Sequence, residues 1–125
     1  MKNPTKIIIA MGSNHDQHAH IDMARKYLCD AFRCVSFTNA IWTEPIGIAS
    51  DKYLNLLAVA DTFTDEATTK AKLKEIETLC GDTRQLRGHN IVNMDLDLLC
   101  YGQEKRHIDD VEMPYVKKLM LFLDT

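Results

Sequence analysis

Apolar residues recur along the chain in two rhythms, one suited to strands and one to helices. Lys6-Ile7-Ile8-Ile9-Ala10-Met11 is a β-branched run stopped by Gly12-Ser13-Asn14, which predicts a buried strand ending in a turn. Ile21, Ala24, Leu28 and Ala31 then recur at helical spacing with Phe32 beside them, predicting a helix from about His18 to Phe32 with one apolar face. Strand formers return from Cys34 to Trp42 and give way to Thr43-Glu44-Pro45-Ile46-Gly47, where proline followed closely by glycine marks a loop. Tyr53 to Phe63 is a further run, long enough for a full strand.

Asp65 can cap the next helix, with Glu66 suited to its positive N-terminal end. Leu73, Ile76 and Cys80 form its buried stripe and Gly81 stops it. Lys70, Lys72, Lys74, Glu75 and Glu77 read as its exposed face. The polar segment from Asp82 to Asn90, which holds Arg84, Arg87, Gly88 and His89, reads as a mobile loop. Asn93 to Tyr101 is another strand, followed by a turn at Gly102 and a tail with Met113-Pro114-Tyr115 and a last apolar run, Leu119 to Leu123. The order β-α-β-β-α-β plus a tail predicts an α+β fold of the ferredoxin-like kind, an antiparallel sheet with both helices on one face. The other face is expected to stay open to solvent or to a ligand.

Composition narrows the picture. A chain of 125 residues is expected to be a single domain, 1–125, that buries about two thirds of its unfolded surface without a disulfide or zinc staple. A net charge of −3 and a pI near 5.9 argue against a general nucleic-acid binder. Cys29, Cys34, Cys80 and Cys100 show no CxxC spacing and read as reduced thiols in a reducing compartment. Ile7 to Met11 is too short for a signal segment, and no stretch is long enough to span a bilayer. A soluble, cytoplasmic protein is expected, with a monomer favoured.

The strand from Asn93 to Tyr101 carries the candidate chemistry. Residues two apart in a strand share a face, so Met94, Leu96 and Leu98 point one way and Asp95 and Asp97 the other, roughly 6.5 to 7 Å apart. Two carboxylates on one face repel each other and are poor strand formers. Either that face is simply solvated, or a hard divalent cation resolves the conflict: magnesium prefers oxygen ligands, keeps some waters and completes its shell with substrate phosphates.

Beyond this pair, the chain resembles the hydroxymethyl-dihydropterin pyrophosphokinase family over nearly its whole length. Ile9-Ala10-Met11-Gly12-Ser13-Asn14 is similar to the family's opening strand and turn, and Thr43-Glu44-Pro45-Ile46-Gly47 followed by Tyr53-Leu54-Asn55 to its pterin-binding stretch. Ile76-Glu77, Gly81, Met94-Asp95-Leu96-Asp97, Tyr101-Gly102 and Met113-Pro114 continue the match in order. The resemblance implies transfer of the terminal diphosphate of ATP to the hydroxymethyl group of a reduced pterin, releasing AMP in folate biosynthesis. It implies that Asp95 and Asp97 hold Mg2+, two ions with ATP, and that Arg84 assists the transfer. It places Thr43, Glu44, Pro45, Ile46, Tyr53 and Asn55 at the pterin, and Lys74, Glu77, Arg84, Leu98 and Tyr115 at the nucleotide.

Several positions depart from the family pattern. Asp82 and Val92 stand where the family shows arginines, His89 where it shows tryptophan, and Tyr115-Val116 where it shows His-Tyr. An arginine expected soon after is absent, with Lys117 and Lys118 nearby. Arg87, Arg106, Lys117 and Lys118 are the cations available as replacements, although lysine does not reproduce a bidentate arginine grip. Two outcomes stay open: an active pyrophosphokinase, or a divergent relative that binds pterin and nucleotide without efficient turnover.

Other features read as structural. His15, His18 and His20 match no standard helical metal pair and read as a solvated loop. Gly12-Ser13-Asn14 lacks the glycines and lysine of a P-loop. Trp42 and Phe37 read as core or pocket wall. An open sheet of this kind can bind RNA through exposed aromatics, but two aspartates on it would repel phosphate. A ligand-sensing domain is the remaining non-enzymatic alternative, and magnesium-dependent ATP binding separates it from the enzyme.

Overall fold

The first β-branched run forms the centre of the molecule. The computed structural model describes residues 3–45 and 50–102 together with the backbone of residues 104 and 105. Expectations placed on Ile46, Gly47, Arg106, Met113, Pro114, Tyr115, Lys117, Lys118 and the run from Leu119 to Leu123 lie outside the described residues. Strand β1 (Thr5–Ser13) is followed by helix α1 (Gln17–Ala31), strands β2 (Arg33–Phe37), β3 (Ile41–Thr43) and β4 (Tyr53–Thr62), and helix α2 (Glu66–Leu79). A short helix α3 (Arg84–Gly88) and strands β5 (Asp95–Tyr101) and β6 (Glu104–Lys105) complete the described elements.

The strands form one antiparallel sheet in the order β2-β4-β1-β5-β6, with β3 also paired to β4. The α+β class agrees with the sequence pattern, while the element list is longer than expected. The run from Cys34 to Trp42 does not form one strand. At Thr38 the side-chain hydroxyl, rather than a backbone carbonyl, accepts the Leu57 N–H at 2.9 Å, and the pairing with β4 is interrupted there, between β2 and β3. The segment expected as a loop between Asp82 and Asn90 contains α3, because Thr83 Oγ1 caps it by accepting the Leu86 N–H at 3.1 Å.

Alternation along the strands decides which residues meet the helices. Ile7, Ile9 and Met11 of β1, Leu54, Leu56 and Ala58 of β4, and Leu96 and Leu98 of β5 join one buried cluster with Ile21, Ala24 and Leu28 of α1 and Leu73 and Ile76 of α2. Cys80, just past α2, belongs to the same cluster, and Gly81 ends that helix at φ 83°, a left-handed value natural to glycine. Asp65 caps α2 as expected, its carboxylate accepting the Thr68 N–H at 2.8 Å.

Two burial expectations are corrected. Glu77 does not belong to the exposed face of α2; it is 6 % exposed, because its carboxylate turns inward to satisfy a backbone donor of β5. Trp42 is 51 % exposed, which removes the core alternative for it and not the pocket wall, and it meets the His18 ring edge-on at 5.8 Å. The face of the sheet away from the helices is also less open than expected, since Ala10, Asn55 and Leu57 on it are buried. Its half-exposed part centres on Tyr53, Asp95 and Asp97.

Candidate functional site

Register places the candidate residues side by side. Gly12 of β1 pairs with Asn55 of β4 on one side and with Asp95 of β5 on the other, and Ala10 pairs with Asp97. With adjacent strands about 4.8 Å apart, Asn55 and Asp95 face each other across a position that has no side chain. The position admits no side chain without a shift of its neighbour: a Cβ on Gly12 would stand 3.0 Å from Asn55 Oδ1 and 3.6 Å from Tyr53 Cδ1. Glycine at this point keeps the floor between the amide and the carboxylate clear.

Asn55 is held from below and beside. Its Nδ2 donates to Thr43 Oγ1 at 2.7 Å and lies 3.5 Å from the Tyr53 carbonyl, so β3 and β4 together fix the amide. Burial pushes the Tyr53 phenol above its ordinary pKa, the negative charge of Asp95 adds to this, and the Arg87 cation opposes it. The phenol therefore stays a hydrogen-bond donor through neutral pH. Glu44 is exposed and pairs with Lys52 at 3.4 Å, Pro45 is half-buried, and Ile46 falls outside the described residues.

On the other side of Gly12, α2 and α3 supply charge. Glu77 Oε2 accepts the Leu96 N–H at 2.7 Å. Burial raises its pKa and the nearby Asp95 charge adds to the rise, while the Leu96 N–H, Arg87 and Lys74 work against it. Arg87 reaches four acceptors: Nε donates to Asp82 Oδ2 at 2.6 Å, Nη2 donates to the Met94 carbonyl at 3.1 Å and to Asp95 Oδ1 at 3.4 Å, and Glu77 Oε2 lies 3.8 Å away. Arg84, the arginine singled out in the sequence, is exposed at the start of α3, and it is Arg87 that the fold brings to Asp95.

Lys74 and Leu98 meet at a cavity of about 280 Å³ that Lys70, Leu73, Leu96 and Asp97 also line, close to the lower end of the volumes usual for ligand pockets, about 300 Å³. Lys74 is exposed and pairs with Glu77 at 3.9 Å. Tyr115 falls outside the described residues.

Two residues have a part in the site that the sequence pattern does not signal. Asn14 ties the end of β1 to the segment entering β5: its N–H donates to the Val92 carbonyl at 3.0 Å, its Oδ1 accepts the Val92 N–H at 2.7 Å, and its Nδ2 donates to Asn90 at 2.9 Å. These contacts span more than seventy positions, so local pattern gives no sign of them. Arg87 stands out only as one of several spare cations, and Asp82, five positions before it, is the one local hint of a partner.

The histidine cluster does not assemble a metal centre. The His15 and His20 rings lie 6.2 Å apart, His18 turns to Trp42, and no group of three His, Cys, Asp or Glu residues is arranged for a metal ion among the described residues. None of the four cysteines forms a disulfide among the described residues. No helix among the described residues is long and apolar enough to cross a membrane.

Fold and site define an α+β protein with a carboxylate pair on one face of an antiparallel sheet, set across a bare glycine from a fixed amide. The model of the 7,8-dihydro-6-hydroxymethylpterin-pyrophosphokinase family matches residues 8–122. The chain belongs to that family. No curated protein matches it.

Proposed function

We propose that the protein transfers the terminal diphosphate of ATP to the hydroxymethyl group of a reduced pterin, giving AMP and the pterin diphosphate. Family membership over residues 8–122 supplies the reaction class. The observation that carries the proposal to these residues is the row Asn55–Gly12–Asp95, which sets a fixed amide and a carboxylate on either side of a position with no side chain. Asn55, with Tyr53 and Thr43, faces the polar edge and ring of the pterin. Lys74, Leu98 and the cavity beside Asp97 face the nucleotide. On the same reading the sheet is ferredoxin-like, with the separate strands β2 and β3 sharing the edge position beside β4, β1 and β5.

In the transfer, the hydroxymethyl oxygen forms a bond to the β-phosphorus while the bond from that phosphorus to the oxygen shared with the α-phosphate breaks. AMP leaves with the bonding pair and the hydroxyl proton passes to water. The protein's part is to align the groups and to screen their charge.

The donor set fits magnesium. Asp95 and Asp97 offer carboxylate oxygens alone, Asp95 is 38 % exposed, and a cation held by two carboxylates has room for water and phosphate. Bound there, magnesium would neutralise charge on the ATP phosphates. Glu77, buried behind Asp95 and bonded to the Leu96 N–H, keeps the strand that carries both aspartates in register.

The second reading is a family member that binds both ligands but turns over poorly. It draws on Asp82 and the buried, apolar Val92, since losing one preorganised donor costs about 100- to 1000-fold in rate. AMP formation from magnesium-ATP and hydroxymethyl-dihydropterin separates the two, with Asp95→Asn as control. Pterin-dependent AMP that disappears in the control is the expected result. Binding of both ligands with no AMP would favour the second reading, and binding of neither would remove both.

A further inference from the structure

Arg87 is a cation with one side fixed on Asp82 and the other facing Asp95. Its Nε and Nη2 hold Asp82, the Met94 carbonyl and Asp95. Its Nη1, with two further N–H donors, makes no hydrogen bond among the described residues, and the side chain is 37 % exposed. Asp82 is the fixed end: its side chain is only 8 % exposed and its Oδ1 has no hydrogen-bond partner, so Arg87 is what balances this buried charge.

The two contacts differ in strength. The bond to Asp82 is short, 2.6 Å, and sheltered; the contact to Asp95 is long, 3.4 Å, with both partners over a third exposed. A perturbation at the site breaks the second and keeps the first. Accepting the reading of Asp95 as a ligand for a divalent cation, we infer that Arg87 is an exchangeable counter-ion. It holds Asp95 while that carboxylate has no metal, and it turns its Nη1 N–H groups to the polyphosphate when the cation takes Asp95. Asp82 is the pivot that keeps it within reach. Two cations on one carboxylate repel each other, whereas a polyphosphate offers a guanidinium paired, anionic acceptors matched to its fork.

The exchange predicts effects of opposite sign for one substitution. The probe is Mn2+ bound to the full chain, followed by electron paramagnetic resonance with and without α,β-methylene-ATP. Without nucleotide, Arg87→Gln is expected to bind Mn2+ about two- to fivefold more tightly, the size of a solvent-screened ion pair removed. With nucleotide, the same variant is expected to hold the metal–nucleotide complex about tenfold or more weakly, the size of a lost charge-assisted hydrogen bond. Asp82→Ala is expected to lose affinity for the complex although Arg87 is intact.

If Arg87→Gln shifts both affinities the same way or neither, with its melting temperature retained, the exchange is overturned and the metal reading stands. If Asp95→Asn leaves Mn2+ binding unchanged, the metal reading falls and the exchange with it. Should the glutamine variant fail to fold, Arg87→Lys carries the same test: near wild-type binding without nucleotide and weakened binding with it support the exchange, and unchanged binding in both overturns it.

Discussion

At Gly12 the absence of a side chain keeps Asn55 and Asp95 in view of each other across β1. Gly12→Ala puts a Cβ within 3.0 Å of Asn55 Oδ1, and the amide must give by a few tenths of an ångström. A misplacement of about 1 Å at a reacting site costs on the order of 100-fold, so this smaller shift is expected to weaken pterin binding roughly tenfold. Isothermal titration of the variant with the pterin, alongside a melting curve that stays close to wild type, checks it. The cysteines give a second test at this scale. Cys29 and Cys34 are exposed, while Cys80 and Cys100 are buried, and burial, with Asp82 and Glu77 nearby, pushes the Cys80 thiol up to about 11. A disulfide-exchange reagent at neutral pH is expected to label Cys29 and Cys34 rapidly and the other two only after denaturation. Rapid labelling of Cys80 in the folded protein would contradict its placement.

Among the elements, α2 shows how a surface cap and a buried face share the work. Asp65 caps the helix, and the Thr68 side chain and N–H hold its carboxyl below the ordinary carboxylate range. A carboxylate with a lowered folded-state pKa stabilises the fold above its unfolded value, near 3.8, and that contribution fades as pH falls through the lower, folded-state value. Asp65→Ala is therefore expected to melt below wild type at neutral pH. The gap should close as the solution is acidified below pH 3.8, which melting temperatures across a pH series will show. Much of this element was legible beforehand: the cap, the stripe of Leu73, Ile76 and Cys80, and the stop at Gly81 are local features. The helical pattern puts Glu77 on the exposed face, and the structure does not, because the donor that draws it inward belongs to β5, nineteen residues away. The small helix α3 gives no such signal, since a five-residue helix with no buried residue leaves no apolar rhythm to read.

For the molecule as a whole, stability rests on the layer between the sheet and the two long helices. Leu56, on β4 beside the central strand, is fully buried there. Leu56→Ala is expected to cost about 2 to 5 kcal/mol, a large part of the roughly 5 to 15 kcal/mol usual for a domain. The urea midpoint should fall with little change in the slope of the transition, and a midpoint within error of wild type would rule out this placement of the core.

The alternation of Met94, Asp95, Leu96, Asp97 and Leu98 determined by itself which residues enter the core and which two carboxylates share the opposite face, because a strand's side-chain period is two wherever it lies. The α+β class and the caps followed from equally local rules. Only the tertiary structure decided what stands next to those carboxylates. Gly12 and Asn55 come into line with Asp95 through the register of three strands, Asn14 bonds Val92 from 78 positions away in sequence, and Arg87 rather than Arg84 arrives at Asp95. Each of these depends on contacts between segments far apart in sequence, whose geometry is set by packing and not by the residues' own neighbours.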